Sequence, residues 1–327
     1  MNRSKVLLDC DPGIDDALAI LLACASPEID LVGVTTVGGN SLVETETRNA
    51  LAVLALAGRA DVPVAQGCAR GLIKDLTPAT DTHGLGGLGY ATLPPPRAEP
   101  LAQHAVDFLI EIILAQPGEI TLVATGPLTN VALAVRKAPR VVGAVKRCIV
   151  MGGAFRHEGN MPLRGEYNVW CDPHAAHIVF HAGLPLTLVP LDVTYRCLFR
   201  EQHVQRLASR ISPHSPLADF PSPLLTFIAD ATRFYIEYHR AAQNIEGCAI
   251  NDALTMALVF APDLVTTQAL YVDVELGDGP GHAGTYADFW KLTGKPPNMH
   301  VALEVDAERF MRLFVERMAG LAARTMM

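Results

Sequence analysis

The chain has 327 residues, of which 50% are hydrophobic and only 18% are charged. This balance supports a large buried core and excludes extensive disorder. The net charge of −8 argues against a nucleic-acid-binding protein, which needs basic patches to neutralise phosphates, and against binding to an acidic membrane surface.

Cysteine usage and hydrophobic run lengths predict the compartment. The seven cysteines are scattered and form no C-x-x-C pair, as expected for reduced thiols in a cytosolic protein. The apolar run near the N-terminus is too short for a secretory signal, and no stretch is long enough to span a membrane. We expect a soluble cytoplasmic protein. Because neither C-x-x-C nor H-E-x-x-H occurs, we expect no zinc site.

Short β-branched runs alternate with helical patterns from the N-terminus onward. "KVLLD" (5–9) predicts a strand, and the apolar spacing after it predicts an amphipathic helix from about Ile14. "LVGVTTV" (31–37) predicts a second strand, followed by a helix that Ser41 and Glu44 would begin as a capping box. Further strands are predicted at 120–124, 147–151 and 184–190, with helices at about 127–137 and 172–183.

The C-terminal part is richer in helices. Helices are predicted at about 201–209, 222–240, 252–260 and from Ala307, with strands in "ALYVDVEL" (269–276) and "NMHVALEVD" (298–306). Strands without polar alternation, separated by helices, indicate a parallel sheet covered on both faces. We therefore predict a single α/β domain over residues 1–327, with an open, mostly parallel (mixed) β-sheet flanked by helices.

Four aspartates, Asp9, Asp11, Asp15 and Asp16, lie at the end of the first strand and the start of its helix. Complementation of the helix dipole explains one or two of them. Ligands bind at the carboxyl ends of strands in open α/β sheets, and an oxygen-rich cluster there suits Ca²⁺ or Mg²⁺. Phosphatases of the haloacid dehalogenase type also begin with D-x-D, but the continuation D-P-G-x-D-D is typical of another class.

"DCDPGIDDALAILLA" (9–23) closely resembles the opening signature of the inosine–uridine-preferring nucleoside hydrolases, which cleave ribonucleosides to ribose and free base. The resemblance recurs along almost the whole chain. The collinear motifs are "VGGN" (37–40), "THG" (82–84), "ATGPLTN" (124–130), "VMGGAF" (150–155), "GNMPLRGEYNVWCDPHAA" (159–176), "NDALTMA" (251–257) and "TGKPPNMHVALEVD" (293–306).

The resemblance implies one Ca²⁺ ion per subunit, between the carboxylates. Its ligands would be Asp11, Asp16, Asp252 and the backbone carbonyl of Thr125. Asp11 would also be the general base that takes a proton from a metal-bound water, whose pKa the cation lowers. The resemblance assigns no role to Asp9, and we expect this residue to orient the ligands.

The resemblance also implies a ribose site. Asp15 would bind the 2-hydroxyl, and Met151 would pack beside the sugar. Asn160 and Glu166 would bind the 5-hydroxyl, and Asn40 and Asn168 the ring hydroxyls. A site that bonds every hydroxyl rejects a sugar that lacks one, so we expect ribosides to be preferred over deoxyribosides.

The base side departs from the family pattern. Inosine–uridine-preferring members carry a histidine immediately before the late aspartate, where this chain has Asn251, and an amide cannot act as a general acid. His83, and the pair Tyr235 and His239 on one helix face, are the candidates that remain for contact with the base. Trp170 is a candidate for stacking.

We therefore expect a Ca²⁺-dependent N-ribohydrolase of nucleosides with an oxocarbenium-like transition state. One alternative is a hydrolase of another N-riboside, such as a nicotinamide or modified nucleoside. The other is a non-catalytic ribose- or nucleoside-binding protein, against which the presence of Asp11 argues. The resemblance further implies a homodimer or homotetramer.

Overall fold

The computed structural model describes residues 3–162, 164–211 and 222–326. Its strands are β1 (Ser4–Cys10), β2 (Ile29–Thr36), β3 (Val64–Gln66), β4 (Ile120–Ala124), β5 (Arg147–Met151), β6 (Leu186–Val189), β7 (Leu198–Phe199), β8 (Cys248–Ala249), β9 (Val265–Leu270), β10 (Val272–Val274), β11 (Thr285–Ala287) and β12 (Met299–Val305).

The helices are α1 (Ile14–Ala25), α2 (Val43–Leu56), α3 (Thr80–His83), α4 (Ala105–Ala115), α5 (Thr129–Lys137), α6 (Val141–Ala144), α7 (Tyr167–Cys171), α8 (Pro173–Phe180), α9 (Leu191–Thr194), α10 (Glu201–Ile211), α11 (Pro223–Gln243), α12 (Asn251–Ala257) and α13 (Ala307–Thr325). Of the helices in the described ranges, none has the length and apolar character needed to cross a membrane.

Eight strands form one sheet in the order β3-β2-β1-β4-β5-β6-β12-β9. Neighbouring strands from β3 to β12 run parallel, and β9 pairs antiparallel with β12 at one edge. The predicted open, mostly parallel mixed sheet of a single α/β unit is confirmed. The single strand predicted across 269–276 is wrong in detail. The structure has two strands there, since β9 ends at Leu270 and β10 begins at Val272, and β10 pairs with β11 in a separate hairpin.

Helices cover both faces of the sheet, as the unbroken apolar strands predict. Alternate residues of β1 point to opposite faces: Val6 and Leu8 join the core beneath α1, α2, α11, α12 and α13, whereas Leu7 joins the core beneath α4, α5 and α8. With an apolar layer on each side, residues 6–10 of β1 are buried, and residues 11–23 after them are buried as well.

The carboxyl ends of the central strands meet at one edge of the sheet. Asp9 in β1 lies opposite Thr35 in β2 and Ala124 in β4. The segments after these strands therefore converge, and they carry the aspartate, "VGGN" and "ATGPLTN" motifs. The predicted capping box is wrong, since Leu42 is the N-cap residue of α2 and no side chain caps it.

Candidate active site and metal centre

The turn between β1 and α1 places the aspartates. Asp11 follows β1 directly, and Gly13 is the extended N-cap residue of α1, so Asp15 and Asp16 fall in the first helical turn. The Gly13 N–H donates to Asp16 Oδ2 at 3.2 Å. Free N–H groups at a helix start favour carboxylates, which holds these side chains towards the sheet edge.

Asp252 in the first turn of α12 brings a further carboxylate to this turn. Asp15, Asp16 and Asp252 each offer an oxygen within 4.8 Å of the others, and all three are buried. Burial, followed by the charge of Asp15, raises the pKa of Asp16 to about 7. Burial and the neighbouring aspartates raise the pKa of Asp252 well above its usual value. The cluster therefore needs protons or a cation to be stable.

Asp11 is fully buried beside this cluster. Its Oδ2 accepts from the Asn40 N–H at 2.9 Å, whereas its Oδ1 has no hydrogen-bond partner in the described ranges. Two glycines enclose the carboxylate, since a Cβ on Gly39 would lie 2.0 Å from Oδ2 and one on Gly126 would lie 2.6 Å from Oδ1. Burial and the charge of Asp16 raise the pKa of Asp11 well above its usual value.

These oxygens fit a hard divalent cation. No lysine or arginine pairs with the four aspartates in the part of the chain that the structure describes. The three carboxylates that lie close to one another are those of Asp15, Asp16 and Asp252. The sequence instead predicts Asp11 as the ligand beside Asp16 and Asp252. Thr125 contacts the cluster through its hydroxyl, since Oγ1 donates to Asp16 Oδ1 at 2.8 Å. The Thr125 carbonyl accepts from Asn168 Nδ2 at 2.7 Å. The buried, unpaired Asp11 Oδ1 and this oxygen-only donor set are what a Ca²⁺ or Mg²⁺ site requires.

A cleft of about 210 Å³ opens beside the carboxylates. The predicted site residues that line it are Asp15, Asn40, His83, Thr125, Met151, Asn160, Glu166, Asn168, Trp170, Tyr235, His239, Asn251 and Asp252. Asp11 and Asp16 are fully buried and are not among the lining residues. The structure thus brings the residues predicted for metal, ribose and base into one place.

Glu166 and Asn160 organise the loop that precedes α7. Glu166 is the N-cap residue of α7, and its carboxylate accepts from the backbone N–H groups of Gly153, Asn168 and Val169 at 2.9–3.2 Å. Burial nevertheless raises its pKa to about 7. Asn160 Oδ1 accepts from the backbone N–H of Tyr167 at 2.9 Å.

Two amide side chains of the cleft, those of Asn40 and Asn251, contact the acidic cluster. Asn40 Nδ2 donates to the Asp11 carbonyl at 2.9 Å and to Asp16 Oδ2 at 3.2 Å. Asn251 Nδ2 donates to Asp15 Oδ2 at 2.8 Å, and its own Oδ1 is buried without a partner in the described residues. Asn251 thus holds Asp15, a role that an amide can fulfil although it cannot release a proton.

The two cleft histidines differ in which ring nitrogen carries the proton. His83 Nδ1 accepts from the Ile14 N–H at 3.0 Å, so a neutral His83 carries its proton on Nε2. His239 Nδ1 lies 2.9 Å from the Tyr235 carbonyl, which can only accept, so the proton of His239 is on Nδ1 and its Nε2 is an acceptor. Burial lowers the pKa of His83 to about 3 and that of His239 to about 4. At neutral pH, therefore, His83 can donate through Nε2 and His239 cannot.

Asp9 is a structural link at the same edge. Its Oδ1 accepts from Thr35 Oγ1 at 2.6 Å and from Asn130 Nδ2 at 2.8 Å, which ties β1 to β2 and to α5. Burial raises the pKa of Asp9 to about 6. These bonds fix the end of β1, which Asp11 follows directly; the predicted role of Asp9 in orienting the metal ligands stays a prediction.

The cleft also contains residues that the sequence reasoning missed. Tyr195, Tyr238 and Gln243 line it, and Gln243 Nε2 donates to Tyr195 Oη at 3.2 Å. Tyr238 lies one helical turn after Tyr235, a spacing that could have pointed to it. Trp170 lines the cleft with Lys74 Nζ 3.0 Å above its ring, so that cation already occupies one of its faces.

Comparisons with known proteins agree with this geometry. A family model described as inosine-uridine preferring nucleoside hydrolase matches residues 6–312. The chain is 37% identical to the pyrimidine-specific ribonucleoside hydrolase RihA of Enterobacter sp. (strain 638), over 98% of this chain and 99% of the relative. A purine-preferring ribonucleoside hydrolase from Gardnerella vaginalis is similar in structure, with a TM-score of 0.89, 34% identity and coverage of 98% of this chain and 100% of that one. The plant nucleoside hydrolase PpNRh1 gives a TM-score of 0.87 at 36% identity, over 97% and 99% of the two chains.

Proposed function

We propose that this chain, which belongs to the inosine-uridine preferring nucleoside hydrolase family, works with a bound Ca²⁺ ion and with Asp11 as the general base. As a member of that family, it hydrolyses the N-glycosidic bond of ribonucleosides to ribose and free base. The observation that carries this proposal is the buried cluster of carboxylates at the edge of a cleft lined with hydrogen-bonding groups. The cluster provides the site for a cation, and the cleft provides the site for a sugar.

Asp11, Asp16, Asp252 and the carbonyl of Thr125 would hold the calcium ion. Bound calcium supplies a water of lowered pKa. Asp11 accepts a proton from the attacking water through Oδ1, the oxygen of this carboxylate that has no hydrogen-bond donor among the described residues. Asn40 keeps Oδ2 fixed meanwhile through its backbone N–H, so the base is oriented before substrate arrives.

The acidic character of the site also stabilises the reacting sugar. Loss of the base leaves positive charge on the ribose as an oxocarbenium-like species. Asp15 lines the cleft, and so does Asp252 from α12. Fixed carboxylates in a buried site stabilise charge that develops in the transition state.

Ribose selectivity follows from the polar lining of the cleft. Asp15, Asn40, Asn160, Glu166 and Asn168 are each buried or half-buried beside it, and we assign them to the ribose hydroxyls. A missing hydroxyl leaves such groups unpaired, which costs roughly 10⁴-fold in kcat/KM at sites built to bond that group. Deoxyribosides are therefore poor substrates.

Departure of the base is assisted by His83. Its Nδ1 is fixed by the Ile14 N–H, so Nε2–H can donate a hydrogen bond to a departing base. Asn251 stands where inosine–uridine-preferring members carry histidine, and it holds Asp15 instead of providing an acid. That difference leaves a second candidate substrate class, an N-riboside such as nicotinamide riboside whose base departs uncharged and needs no proton.

The relatives support no single base preference, since one is named pyrimidine-specific and another purine-preferring. We further propose a homodimer or homotetramer on the basis of the family resemblance, and a cytoplasmic location on the basis of the scattered cysteines.

Ribose release from a panel of substrates tests the proposed function. The panel pairs purine and pyrimidine ribosides with their 2-deoxy counterparts and includes nicotinamide riboside. We expect release from at least one nucleoside, with the deoxy partner slower by roughly 10⁴-fold. Equal rates for ribosides and deoxyribosides would contradict the assignment of the cleft residues to the hydroxyls. Release from nicotinamide riboside alone would favour the second candidate.

A further inference from the structure

A second group of metal-ligating side chains lies outside the acidic cleft. His177 is in the last turn of α8, His181 is the C-cap residue of that helix, and Asp273 is in β10. Each offers a ligand atom within 4.8 Å of the other two. We propose that this trio binds a divalent transition metal of the zinc type, at a site separate from the calcium site of the proposed function.

The two histidines have the spacing of a chelating pair. Residues four apart on a helix are neighbours on one face, and two histidines with this spacing bind zinc in helical motifs. The rings of His177 and His181 lie 4.3 Å apart between centroids. The sequence reasoning tested only C-x-x-C and H-E-x-x-H spacings, so it missed the pair.

The ring of His181 is held with Nε2 near Asp273 and Tyr271. Its Nδ1 lies 2.8 Å from the His177 carbonyl, which can only accept, so Nδ1 carries the proton. Nε2 is then an acceptor, and it lies 3.3 Å from Tyr271 Oη and 3.7 Å from Asp273 Oδ1. A metal-bound histidine characteristically donates its other N–H to a carbonyl or carboxylate in this way.

The two oxygens of the Asp273 carboxylate contact different side chains. Oδ1 lies 3.2 Å from His177 Nδ1, and Oδ2 accepts from Tyr271 Oη at 2.8 Å. Lys295 lies on the Oδ2 side, 4.0 Å away, and its Nζ contacts Tyr271 Oη at 2.7 Å. A cation would replace the proton that His177 and Asp273 share, since ligands must be deprotonated to bind metal.

Solvent exposure and the types of ligand atom indicate which ion binds. The three side chains are 30–39% exposed, so an ion can enter from solvent and complete its coordination with water. Two imidazoles and one carboxylate suit Zn²⁺, whereas Ca²⁺ and Mg²⁺ take oxygen ligands. The two metal sites of the molecule therefore select different ions.

A bound ion would join α8 to β10. α8 packs against β10 and follows α7, which carries Asn168. β10 pairs with β11, where Thr285 Oγ1 lies 2.9 Å from both the backbone N and the carbonyl O of Ala154. The expected consequence is a gain in thermal stability on addition of Zn²⁺.

Isothermal titration with ZnCl₂ tests the site, using full-length protein kept in saturating Ca²⁺ so that the acidic cluster is occupied. We expect one zinc ion per chain. Loss of a second-sphere partner typically costs about 10–100-fold in metal affinity, so His177→Ala and His181→Ala, which remove a ligand, should each weaken binding by about tenfold or more. His300→Ala, which removes an exposed histidine of β12, is the matched control and should bind as the wild type does.

Two results would overturn the proposal. One is the absence of saturable zinc binding in the wild-type protein, and the other is an unchanged affinity in the His177 and His181 variants. Thermal melting gives an independent readout, because Zn²⁺ should raise the Tm of the wild type and of His300→Ala but not that of His181→Ala. Melting without zinc checks that each variant is folded.

Discussion

At the scale of single residues, Asp11 carries the central chemical assignment. Asp11→Asn keeps an oxygen that can accept from the Asn40 N–H but removes the base. We expect ribose release to fall by about 10²–10⁴-fold or more, the range for loss of a general base, while the far-ultraviolet circular dichroism stays that of the wild type. Wild-type-like turnover in this variant would remove Asp11 as the base.

His83 is distinguished from His239 by its protonation. A hydrogen-bond donor to the departing base should increase the rate of nucleoside hydrolysis. It should have little effect on the hydrolysis of an aryl riboside, because the phenolate leaves without a proton. His83→Ala should lower kcat/KM for nucleosides by about 10²-fold and leave hydrolysis of 4-nitrophenyl riboside nearly unchanged. His239→Ala is the comparison variant, since its Nε2 is an acceptor. An equal loss on both substrates in His83→Ala would show that His83 acts on the sugar side or on the fold.

At the scale of elements, the turn from β1 to α1 is packed too tightly for a side chain at Gly13. A Cβ there would lie 2.6 Å from His83 Nδ1 and 2.7 Å from Asn40 Nδ2. Gly13→Ala should therefore displace both side chains, at a cost of about 1–3 kcal/mol in stability and about 10²-fold in turnover.

The control for this variant is Gly143→Ala in α6, where a Cβ would meet nothing within 4 Å. Activity and thermal unfolding of the two variants are compared with those of the wild type. Full activity in Gly13→Ala would show that the turn adapts and that the packing around His83 is not needed for catalysis.

The sequence predicts the elements whose signals are local. Unbroken apolar strands, helical spacing and the D-P-G turn gave the sheet and the start of α1. The capping box at Ser41 and Glu44 was wrong because two spaced polar residues do not fix where a helix begins; here it begins one residue later than that motif requires. Nothing in the apolar run 269–276 indicates where β9 ends and β10 begins.

Contacts between distant segments were out of reach. The bond from Asn168 to the Thr125 carbonyl and the proximity of His177 to Asp273, 96 residues apart, depend on how elements pack. The protonated nitrogen of each histidine depends on a backbone atom in another turn or element. Composition and spacing do not encode these relations, whereas those cleft residues that lie in family motifs could be named from the resemblance.

At the scale of the whole molecule, buried acids couple stability to pH and to metal. Burial raises the pKa of Asp16 and Glu166 to about 7, above their unfolded values of 3.8 and 4.5. The folded state then binds more protons than the unfolded state, so this stabilisation is complete at low pH and is lost as pH rises through about 7. Histidines of lowered pKa act in the opposite direction, but only below about pH 6.5.

Thermal unfolding of chelator-treated protein should therefore show a lower Tm at pH 8 than at pH 6.5. Calcium should raise the Tm more at pH 8, because the ion binds the ionised carboxylates. Asp16→Asn should reduce both effects. A calcium-induced shift in Tm that is the same at both pH values would contradict the coupling.

The most direct measurement is ribose release together with bound-metal analysis, as calcium is removed by prolonged dialysis against a strong chelator and then restored. A cation held among Asp11, Asp16, Asp252 and the Thr125 carbonyl predicts that turnover falls in proportion to bound calcium and returns when about one ion per chain is restored. Undiminished ribose release from protein shown to hold no metal would contradict the proposed mechanism.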